Sequence, residues 1–532
     1  MKDRVLAFDV GTSGVKVVVA DTDGGFVGSR YRPYGLHTLP GGWVEQDLDE
    51  IYAASADACR EVLEATATQP SRILAVGATA QMFNVVPVDG EGRALMPMLS
   101  WLDTRASAHA ERLAERMPPD EQFERLGSVV NAKDILPKIL WLRDERGEVL
   151  SRTTWLLDCK EAIVLRLTGR AVIDHAGASA FRLYDHRARD WDRDACRAVG
   201  VPPELLPPVS SALGIAGTVG ASAATHTGLL AGTPVAVGAG DVAASQVGAG
   251  ALSPGETHVS LGTAIYFGVT MDRPVPDPSR RLGVLGHMDP ERWILWLEIA
   301  TGGGALAWLL RALSGSEQGD GLEQLDALVR AAEADQGDLI FCPWLSGERV
   351  PVFDDRVRGG FFGLDLHHGR GHLLRAVMEG VALQMRWALE YGEAFGQSIA
   401  DVRAVGGGGI GEVWSAIIAN ALERPMLVMA DPQDRAAFGA AACALVAAGA
   451  QPTLSFVRDR VSASRTIQPD PAAAERYRRL SVTYRELYEV ARRLARGAEP
   501  APSAPSLGEE PGGDPPAERP GHEVREPAME GR

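Results

Sequence analysis

The sequence lacks the features that mark exported, disulfide-stabilised or membrane-embedded proteins. Its five cysteines are scattered and form no CxxC pair, so neither a disulfide framework nor a zinc site is expected. No apolar run approaches the roughly 18 residues that a membrane-spanning helix needs. Asp3, Asp9 and Lys16 stand where an export signal would be apolar. The sequence therefore predicts a cytoplasmic protein in a reducing compartment, with no membrane partner.

Positive charge is also scarce, because 53 basic residues face 70 acidic ones and the net charge is −17. That balance argues against a nucleic-acid partner, but not against ATP, which needs only a local anion site. Some of the excess lies in residues 497–532, where eight acidic residues face three basic ones among many Pro and Gly. This composition cannot bury enough apolar surface to fold, so residues 496–532 are predicted to be a disordered tail.

No GxxxxGK[ST] phosphate loop occurs, yet the chain begins with another pattern that is typical of phosphate binding. An apolar run containing Asp9 leads into Gly11-Thr12-Ser13-Gly14, and a β-branched run follows at 15–20. Two such runs around a Gly-rich turn predict a β-hairpin. Backbone N–H groups and hydroxyls in the turn can face an anion, and Asp9 is a suitable oxygen ligand for Mg²⁺. An ordinary hairpin remains an equal alternative for this stretch alone.

A second turn of the same kind occurs much later, at Gly262-Thr263, between the apolar runs 258–259 and 265–269. Two such hairpins suggest two similar halves that close on one nucleotide. A chain of 532 residues is too long for a single core. Strand and helix patterns alternate along it, which predicts an α/β fold in two or three domains.

Asp241 follows the strand-like segment 234–237 within Gly238-Ala-Gly240-Asp241. A carboxylate at a strand end, with glycines that allow close approach, could accept a hydroxyl proton during phosphoryl transfer. The same Asp could instead cap the helix that follows. The residues themselves leave both roles open.

Taken together and in order, these motifs resemble the FGGY carbohydrate kinases of the actin, hexokinase and Hsp70 superfamily, and among them most the xylulokinases. The collinear motifs are DxGTSxxK at Asp9, GWxEQ at Gly42, QM at Gln81, WxDxR at Trp101, KxxW at Lys138, GD at Gly240, LGT at Leu261, LSGER at Leu345, FFGL at Phe361, RAVxEGV at Arg375 and GGG at Gly406. The resemblance implies two actin-like, ribonuclease H-like domains around a catalytic cleft. Residues 1–248 would form the sugar-binding domain and residues 249–495 the ATP-binding domain.

The resemblance also implies an activity, which is transfer of the γ-phosphoryl group of ATP to a hydroxyl of a ketopentose or related sugar or polyol. Asp241 would be the general base and, with Asp9, would serve Mg²⁺. The positions implied for ATP are Gly11, Thr12, Ser13, Gly262, Thr263, Gly303, Gly407, Gly408 and Glu412. The positions implied for the sugar are Gln81, Met82, Phe83, Trp101, Asp103 and Val242. Whether the chain forms a homodimer is left open.

Two positions depart from the xylulokinase pattern. Phe83 stands where those enzymes usually have His, and Val242 where they usually have Asn. Both changes remove polar contacts to the sugar, so D-xylulose is expected to be a poor substrate. Lys133 and Asp134 could supply replacement contacts, or they could simply be solvent-facing charges.

Two rival functions use parts of the same sequence. The GxGxxG at 406–411 follows a predicted strand at 402–405 and precedes Asp431, which is the spacing of a dinucleotide-binding fingerprint and would fit an NAD-dependent dehydrogenase. A catalytically inactive sugar sensor is the other alternative, although both Asp9 and Asp241 are present. Release of ADP in the presence of sugars would separate a kinase from both.

Overall fold

The computed structural model describes residues 2–126, 129–274, 283–314, 322–394, 396, 398–406 and 411–495. The predicted tail therefore lies outside the described residues. The strands up to the end of the first half are β1 (Arg4–Val10), β2 (Gly14–Asp21), β3 (Phe26–Pro33), β4 (His37–Leu39), β5 (Trp43–Gln46), β6 (Ile73–Ala80), β7 (Val86–Val88), β8 (Met98–Leu99), β9 (Trp155–Leu157), β10 (Ile173–Asp174), β11 (Tyr184–Asp185), β12 (Asp190–Trp191), β13 (Val209–Ser210), β14 (Ile215–Thr218) and β15 (Pro234–Ala236). The later strands are β16 (Thr257–Leu261), β17 (Ile265–Met271), β18 (Gly283–Gly286), β19 (Trp293–Ile299), β20 (Ile340–Cys342), β21 (Gly360–Phe362), β22 (Val402–Val405), β23 (Met426–Met429) and β24 (Ala463–Ile467).

Helices alternate with these strands. They are α1 (Leu48–Ala65), α2 (Ser107–Arg116), α3 (Pro119–Leu126), α4 (Ile135–Glu145), α5 (Gly147–Leu150), α6 (Cys159–Thr168), α7 (His175–Ala180), α8 (Arg193–Val199), α9 (Ala221–Thr227), α10 (Asp241–Gly248), α11 (Gly303–Ser314), α12 (Leu322–Ala331), α13 (Arg370–Glu393), α14 (Glu412–Leu422), α15 (Arg435–Ala447) and α16 (Pro471–Ala495). Short 3₁₀ turns occur at Pro70–Arg72, Pro203–Leu205, Ala332–Asp335, Pro432–Asp434 and Leu454–Asp459. Within the described part of the chain, no helix is both long and apolar enough to cross a membrane.

The first sheet has the order β14-β15-β6-β1-β2-β3 and is built around the predicted N-terminal hairpin. β1 and β2 pair antiparallel with Asp9 opposite Lys16, and β6 lies parallel to β1 on its other side. The central strands are buried on both faces and consist mainly of Val, Ala, Leu and Phe, as expected when helices cover both sides of a sheet. The GWxEQ segment, which carries no helical pattern, adds the short strand β5 beside β4 and β8.

The second sheet has the order β18-β19-β17-β16-β22-β23-β24 and repeats the plan of the first. Its hairpin, β16 with β17, carries the second Gly-Thr turn, and β22 lies parallel to β16 as β6 does to β1. In each half, an outer strand continues the hairpin antiparallel, namely β3 in the first and β19 in the second. The α/β fold with two similar halves is therefore confirmed.

The two halves are joined by a close crossing of α10 and α15. A Cβ atom added at Gly248 would lie 1.8 Å from the carbonyl oxygen of Arg435, and one added at Gly439 would lie 2.0 Å from that of Ala244. Only glycine allows the two backbones to come this close. Although α15 is far along the chain, its buried residues Ala437, Ala440 and Ala444 form a core with β1, β2 and β6. This helix therefore packs with the first half in space.

Candidate active site

A cavity of about 370 Å³ lies where the ends of the two hairpins meet. It is lined by Thr12, Gln81, Met82, Phe83, Trp101, Val129, Asn131, Lys133, Asp134, Arg182, Asp241 and Val242 from the first half. The second half contributes Ser260, Gly262, Thr263, Ala264, Ile265, Tyr266, Gly283, Leu285, Trp296, Glu298, Arg349, Val350 and Phe353. Both Gly-Thr turns and Asp241 therefore face one space.

The first turn is tight and is hydrogen-bonded to another residue of the cavity wall, Trp101. The N–H of Gly11 donates to the carbonyl of Gly14 at 2.9 Å, which closes the turn. The indole Nε1 of Trp101 donates to the hydroxyl of Thr12 at 3.0 Å. Ser13 is exposed and lies beside the hydroxyl of Tyr31, outside the cavity lining. Thr12 is therefore held by a hydrogen bond from the wall that carries Trp101.

The second turn is built in the same way and leads directly to a helix. The N–H of Gly262 donates to the carbonyl of Ala264 at 3.1 Å, and the N–H of Gly303 donates to the carbonyl of Gly262 at 2.8 Å. A Cβ atom at Gly303 would lie only 2.9 Å from that carbonyl oxygen. Gly303, predicted at the nucleotide site, thus lets α11 begin in contact with the turn.

Asp241 is the first residue of α10, and the N-cap position belongs to Gly240. The alternative of Asp241 as the helix N-cap is therefore not what the structure shows. Its carboxylate faces the cavity, and burial, followed by repulsion from Asp9 and Asp158, raises its pKa to about 7. The approach to it requires a glycine, because Gly238 has φ +71° and a Cβ there would lie 2.1 Å from the carbonyl oxygen of Ala78.

A buried ion cluster supports the segment that leads to Asp241. The ammonium of Lys160 lies 2.7 Å from Glu161 and 2.9 Å from Asp174, and it also donates to the carbonyls of Val237 and Gly238. All three charged side chains are almost fully buried. The cluster thus fixes the backbone just before the GD motif.

Asp9 lies behind the first turn and meets a loop that comes from the far end of the chain. Burial raises its pKa to about 6, with Asp434 adding to the rise and Lys16 opposing it. Lys16 forms an ion pair with Asp434 and donates to the carbonyl of Gln433 at 3.2 Å. The carboxylate of Asp9 thus interacts electrostatically with one cation, Lys16, and with the acidic groups Asp434 and Asp241.

Gln81 lines the cavity and carries an unpaired hydrogen-bond acceptor. Its amide Nε2 donates to Oε1 of Gln46 at 2.7 Å, and Gln46 in turn donates to the carbonyl of Thr12 at 2.9 Å. The Oε1 atom of Gln81 is buried and has no hydrogen-bond partner in the described part of the chain. A buried unpaired acceptor is costly, so a ligand hydroxyl that donates to it would stabilise both.

Phe83 does not stand alone in the cavity wall. Its ring packs edge-on against Trp296 of the second half at a centroid distance of 5.2 Å, and Trp296 stacks on Tyr266 at 5.2 Å. Phe83 also adopts a φ of +67°, a conformation that bulky residues rarely take and that is concentrated at functional sites. Phe83 thus makes an aromatic contact between the two halves.

Lys138, of the KxxW motif, holds three wall segments together. Its fully buried ammonium donates to the carbonyls of Phe83, Ser100 and Lys133 at 2.8–2.9 Å. Burial lowers its pKa to about 8. The motif therefore fixes the backbone of the wall segments that carry Phe83 and Lys133.

Lys133 and Asp134 both line the cavity, so they are more than solvent-facing charges. Asp134 is buried and accepts from the guanidinium of Arg182 at 3.2 Å and from the N–H of Asn131 at 2.8 Å. The ammonium of Lys133 has no hydrogen bond or ion pair within the described ranges. Lys133 is therefore available to a ligand.

Some predicted site residues lie elsewhere. Asp103 is fully buried, and its carboxylate accepts from the guanidinium of Arg105 and from the N–H of Val44, so it is a structural group and not a sugar contact. Glu412 begins α14 and pairs with Arg330 on the exposed surface, away from the cavity lining. Gly407 and Gly408 lie outside the described residues.

The sequence motifs missed the wall that the second half contributes. Tyr266, Trp296, Glu298, Arg349 and Phe353 line the cavity although they follow the second Gly-Thr turn along the chain. Trp296 and Glu298 alternate on one strand, a weak signal that one face of β19 is not ordinary core. Their position opposite Phe83 depends on how the halves close.

Comparison with known proteins defines the class of this fold and site. A xylulose kinase from Rhodospirillum rubrum superposes with a TM-score of 0.84 at 28% identity, covering 93% of this chain and 100% of that one. Gluconokinase from Bacillus subtilis is 28% identical over 489 residues, covering 90% of this chain and 94% of the relative. Xylulose kinase from the same organism is 26% identical over 489 residues, covering 91% and 96%. The fold is thus the two-domain ATPase fold of sugar kinases.

The chain belongs to the FGGY family of carbohydrate kinases. The N-terminal domain of that family matches residues 4–248, and its C-terminal domain matches residues 257–448. Neither the dehydrogenase nor the sensor alternative finds support in these relationships.

Proposed function

We propose that the protein transfers the γ-phosphoryl group of ATP to a hydroxyl of a small sugar, sugar acid or polyol, with Asp241 as the general base. The observation that carries this proposal is the position of Asp241, whose carboxylate shares one cavity with Thr12 and Thr263. A pKa near 7 suits a group that must be deprotonated before the reaction and protonated after it.

The proposed step follows from this placement. The acceptor hydroxyl oxygen attacks the γ-phosphorus while its proton passes to the Asp241 carboxylate. The new O–P bond forms as the bond between the γ-phosphorus and the bridging oxygen breaks, and ADP leaves with that electron pair. The two turns supply backbone N–H groups and hydroxyls to the phosphates from opposite walls, so catalysis is mainly positioning and charge stabilisation.

The acidic residues fit a magnesium ion that is shared with ATP. Among the described residues, no group of three or more His, Cys, Asp or Glu side chains could hold a metal by itself. Mg²⁺ in phosphoryl-transfer sites needs only one or two carboxylates beside phosphate oxygens and water. Asp9 and Asp241 repel each other electrostatically, so a cation between them would be stabilising. They would hold the ion, which supplies neutralisation of phosphate charge.

The relatives differ in the substrate that their names state, xylulose in some and gluconate in another. The cavity favours a polyhydroxy acid such as D-gluconate as the second candidate beside a neutral sugar. The supporting observation is Lys133, an unpartnered ammonium on the cavity wall, next to the Arg182–Asp134 pair. Glu298 lines the opposite wall, so the carboxylate of the substrate would face the first half.

The test is ADP release with D-xylulose, D-gluconate and glycerol, which measures kinase activity and specificity together. If no acceptor of a broad sugar panel led to ADP release, the kinase proposal would be refuted.

Lys133→Met is expected to lower kcat/KM for D-gluconate by about tenfold or more, the usual worth of a charge-assisted hydrogen bond, and to leave kcat/KM for neutral sugars unchanged. Lys133→Arg is the conservative control. An equal effect on all acceptors would exclude a carboxylate contact.

A further inference from the structure

A second cavity, of about 220 Å³, lies on the first half between α2, α3, α4 and the end of α8. It shares no lining residue with the cavity at the two turns. Its wall contains four arginines and a histidine: Arg112, Arg116, Arg125, Arg143 and His109. In a chain of net charge −17, so many cations around one small space are unexpected.

The acidic residues in this wall do not balance the arginines. Glu121 pairs with Arg125 at 2.8 Å, and Asp144 pairs with Arg143 at 2.7 Å. Asp144 reaches Arg112 only at 4.0 Å. Arg116 has no hydrogen bond or ion pair anywhere in the described ranges. The positive charges of Arg112 and Arg116 are therefore poorly compensated by nearby carboxylates, and a bound anion would relieve their mutual repulsion.

His109 gives an independent sign of a missing ligand. It is only 5% exposed, and both of its ring nitrogens are buried without a hydrogen-bond partner among the residues that the structure describes. Asp144 is 3.5 Å from Nε2 but makes no hydrogen bond to it. Buried polar atoms nearly always have partners, so an unpaired ring at the wall of a cavity indicates that a polar ligand completes it.

We propose that this cavity binds the phosphoryl group of a small soluble phosphate ester or polyphosphate, apart from the catalytic cleft. The planar guanidinium group presents paired N–H donors that match phosphate oxygens. A carboxylate or a halide would accept fewer hydrogen bonds from several such groups. The volume equals about seven waters at roughly 30 Å³ each, which is enough for a phosphoryl group and a few further atoms.

The test is calorimetric titration of the full-length protein with pyrophosphate in the presence of EDTA, which suppresses magnesium-dependent binding of phosphates in the cleft. Arg112→Gln with Arg116→Gln removes the two uncompensated charges; both side chains are exposed, so folding should persist. Arg30→Ala on β3 is the matched control, because among the described residues the guanidinium of that exposed arginine donates only to the neighbouring carbonyl of Ser29.

The wild type and Arg30→Ala are expected to bind pyrophosphate with the same Kd, and the double variant about tenfold or more weakly. Binding should weaken with added salt, because the guanidinium groups are partly solvated. Kinase activity and melting temperature should stay unchanged in the double variant. No saturable heat in the wild type at millimolar pyrophosphate, or equal binding by the double variant, would overturn the proposal. The single change Arg116→Glu gives a second check on the same residue.

Discussion

The two Gly-Thr turns have the same backbone plan but carry different chemistry. Each follows the first strand of a hairpin, and each lies next to a parallel strand. Two residues before the glycine, however, the first turn has Asp9 and the second has Ser260. The acids Asp241 and Asp158 also lie on the side of Asp9. Repetition of the fold thus repeats the backbone geometry of the turn, while the carboxylates Asp9, Asp158 and Asp241 all lie in the first half.

The largest effect on activity is expected when the proposed general base, Asp241, is replaced. Asp241→Asn should lower kcat by about 10²–10⁴-fold, the usual contribution of a positioned base, and should leave ATP affinity nearly unchanged. Steady-state kinetics and a nucleotide titration would measure both. Asp47→Asn is the control, since Asn caps α1 as well as Asp does. Turnover within a few-fold of wild type would disprove the role of Asp241.

The contrast between the two turns can be tested directly with a matched pair. Asp9→Asn should raise the Mg²⁺ concentration for half-maximal activity by about tenfold or more, because Mg²⁺ prefers a charged carboxylate. Ser260→Ala occupies the equivalent position and should leave the Mg²⁺ titration unchanged. Similar shifts in the two variants would show that the turns do not differ in this way.

A smaller effect, on substrate specificity, is expected when Phe83 and Val242, the apolar residues proposed to face the sugar, are replaced. Phe83→His combined with Val242→Asn should improve kcat/KM for D-xylulose relative to the preferred acceptor by about 1–3 kcal/mol of transition-state free energy, from restored hydrogen bonds. Phe83→Leu is the control for loss of the contact with Trp296. If the unmodified enzyme already uses D-xylulose as well as any other acceptor, the reasoning about both residues fails.

The buried acid Glu348 should affect the free energy of unfolding and not the phosphoryl-transfer step. Glu348 accepts from the N–H groups of Ala300 and Arg349, and burial raises its pKa from 4.5 to about 8. Between these values the folded protein keeps a proton that the unfolded chain has lost. Stability should therefore fall as pH rises through this window, by up to about 1.4 kcal/mol per pH unit from this group.

Urea unfolding across this pH range would measure how the free energy of unfolding changes with pH. Glu348→Gln should remove the part of that slope that comes from Glu348. Glu423→Gln is the control, because hydrogen bonding to Arg478 lowers the pKa of Glu423 to about 2. The contribution of Glu423 to the free energy of unfolding should be constant over the same pH range. A slope that is equal in wild type and Glu348→Gln would contradict the prediction.

Local sequence determined the elements that hold the cavity. The hairpin at residues 4–21 follows from two apolar runs around a Gly-rich turn, and its two strands pair antiparallel, as a hairpin requires. α1 spans Leu48–Ala65 as its periodicity predicts, because Asp47 accepts from the N–H groups of Asp49 and Glu50. The order of the motifs also indicated the FGGY family, which the domain matches confirm. Short-range patterns suffice for these features because their interactions are themselves local.

Only the tertiary structure decided which side chains share a cavity. Asp103 has the spacing of a ligand-binding acid, yet Arg105 occupies its carboxylate in the interior. Trp296 comes opposite Phe83, and α15 packs on the first sheet, through contacts between residues far apart in the chain. The sequence contains no local signal for such pairings. They depend on how two separately formed sheets pack across α10 and α15, where glycines allow the backbones to touch.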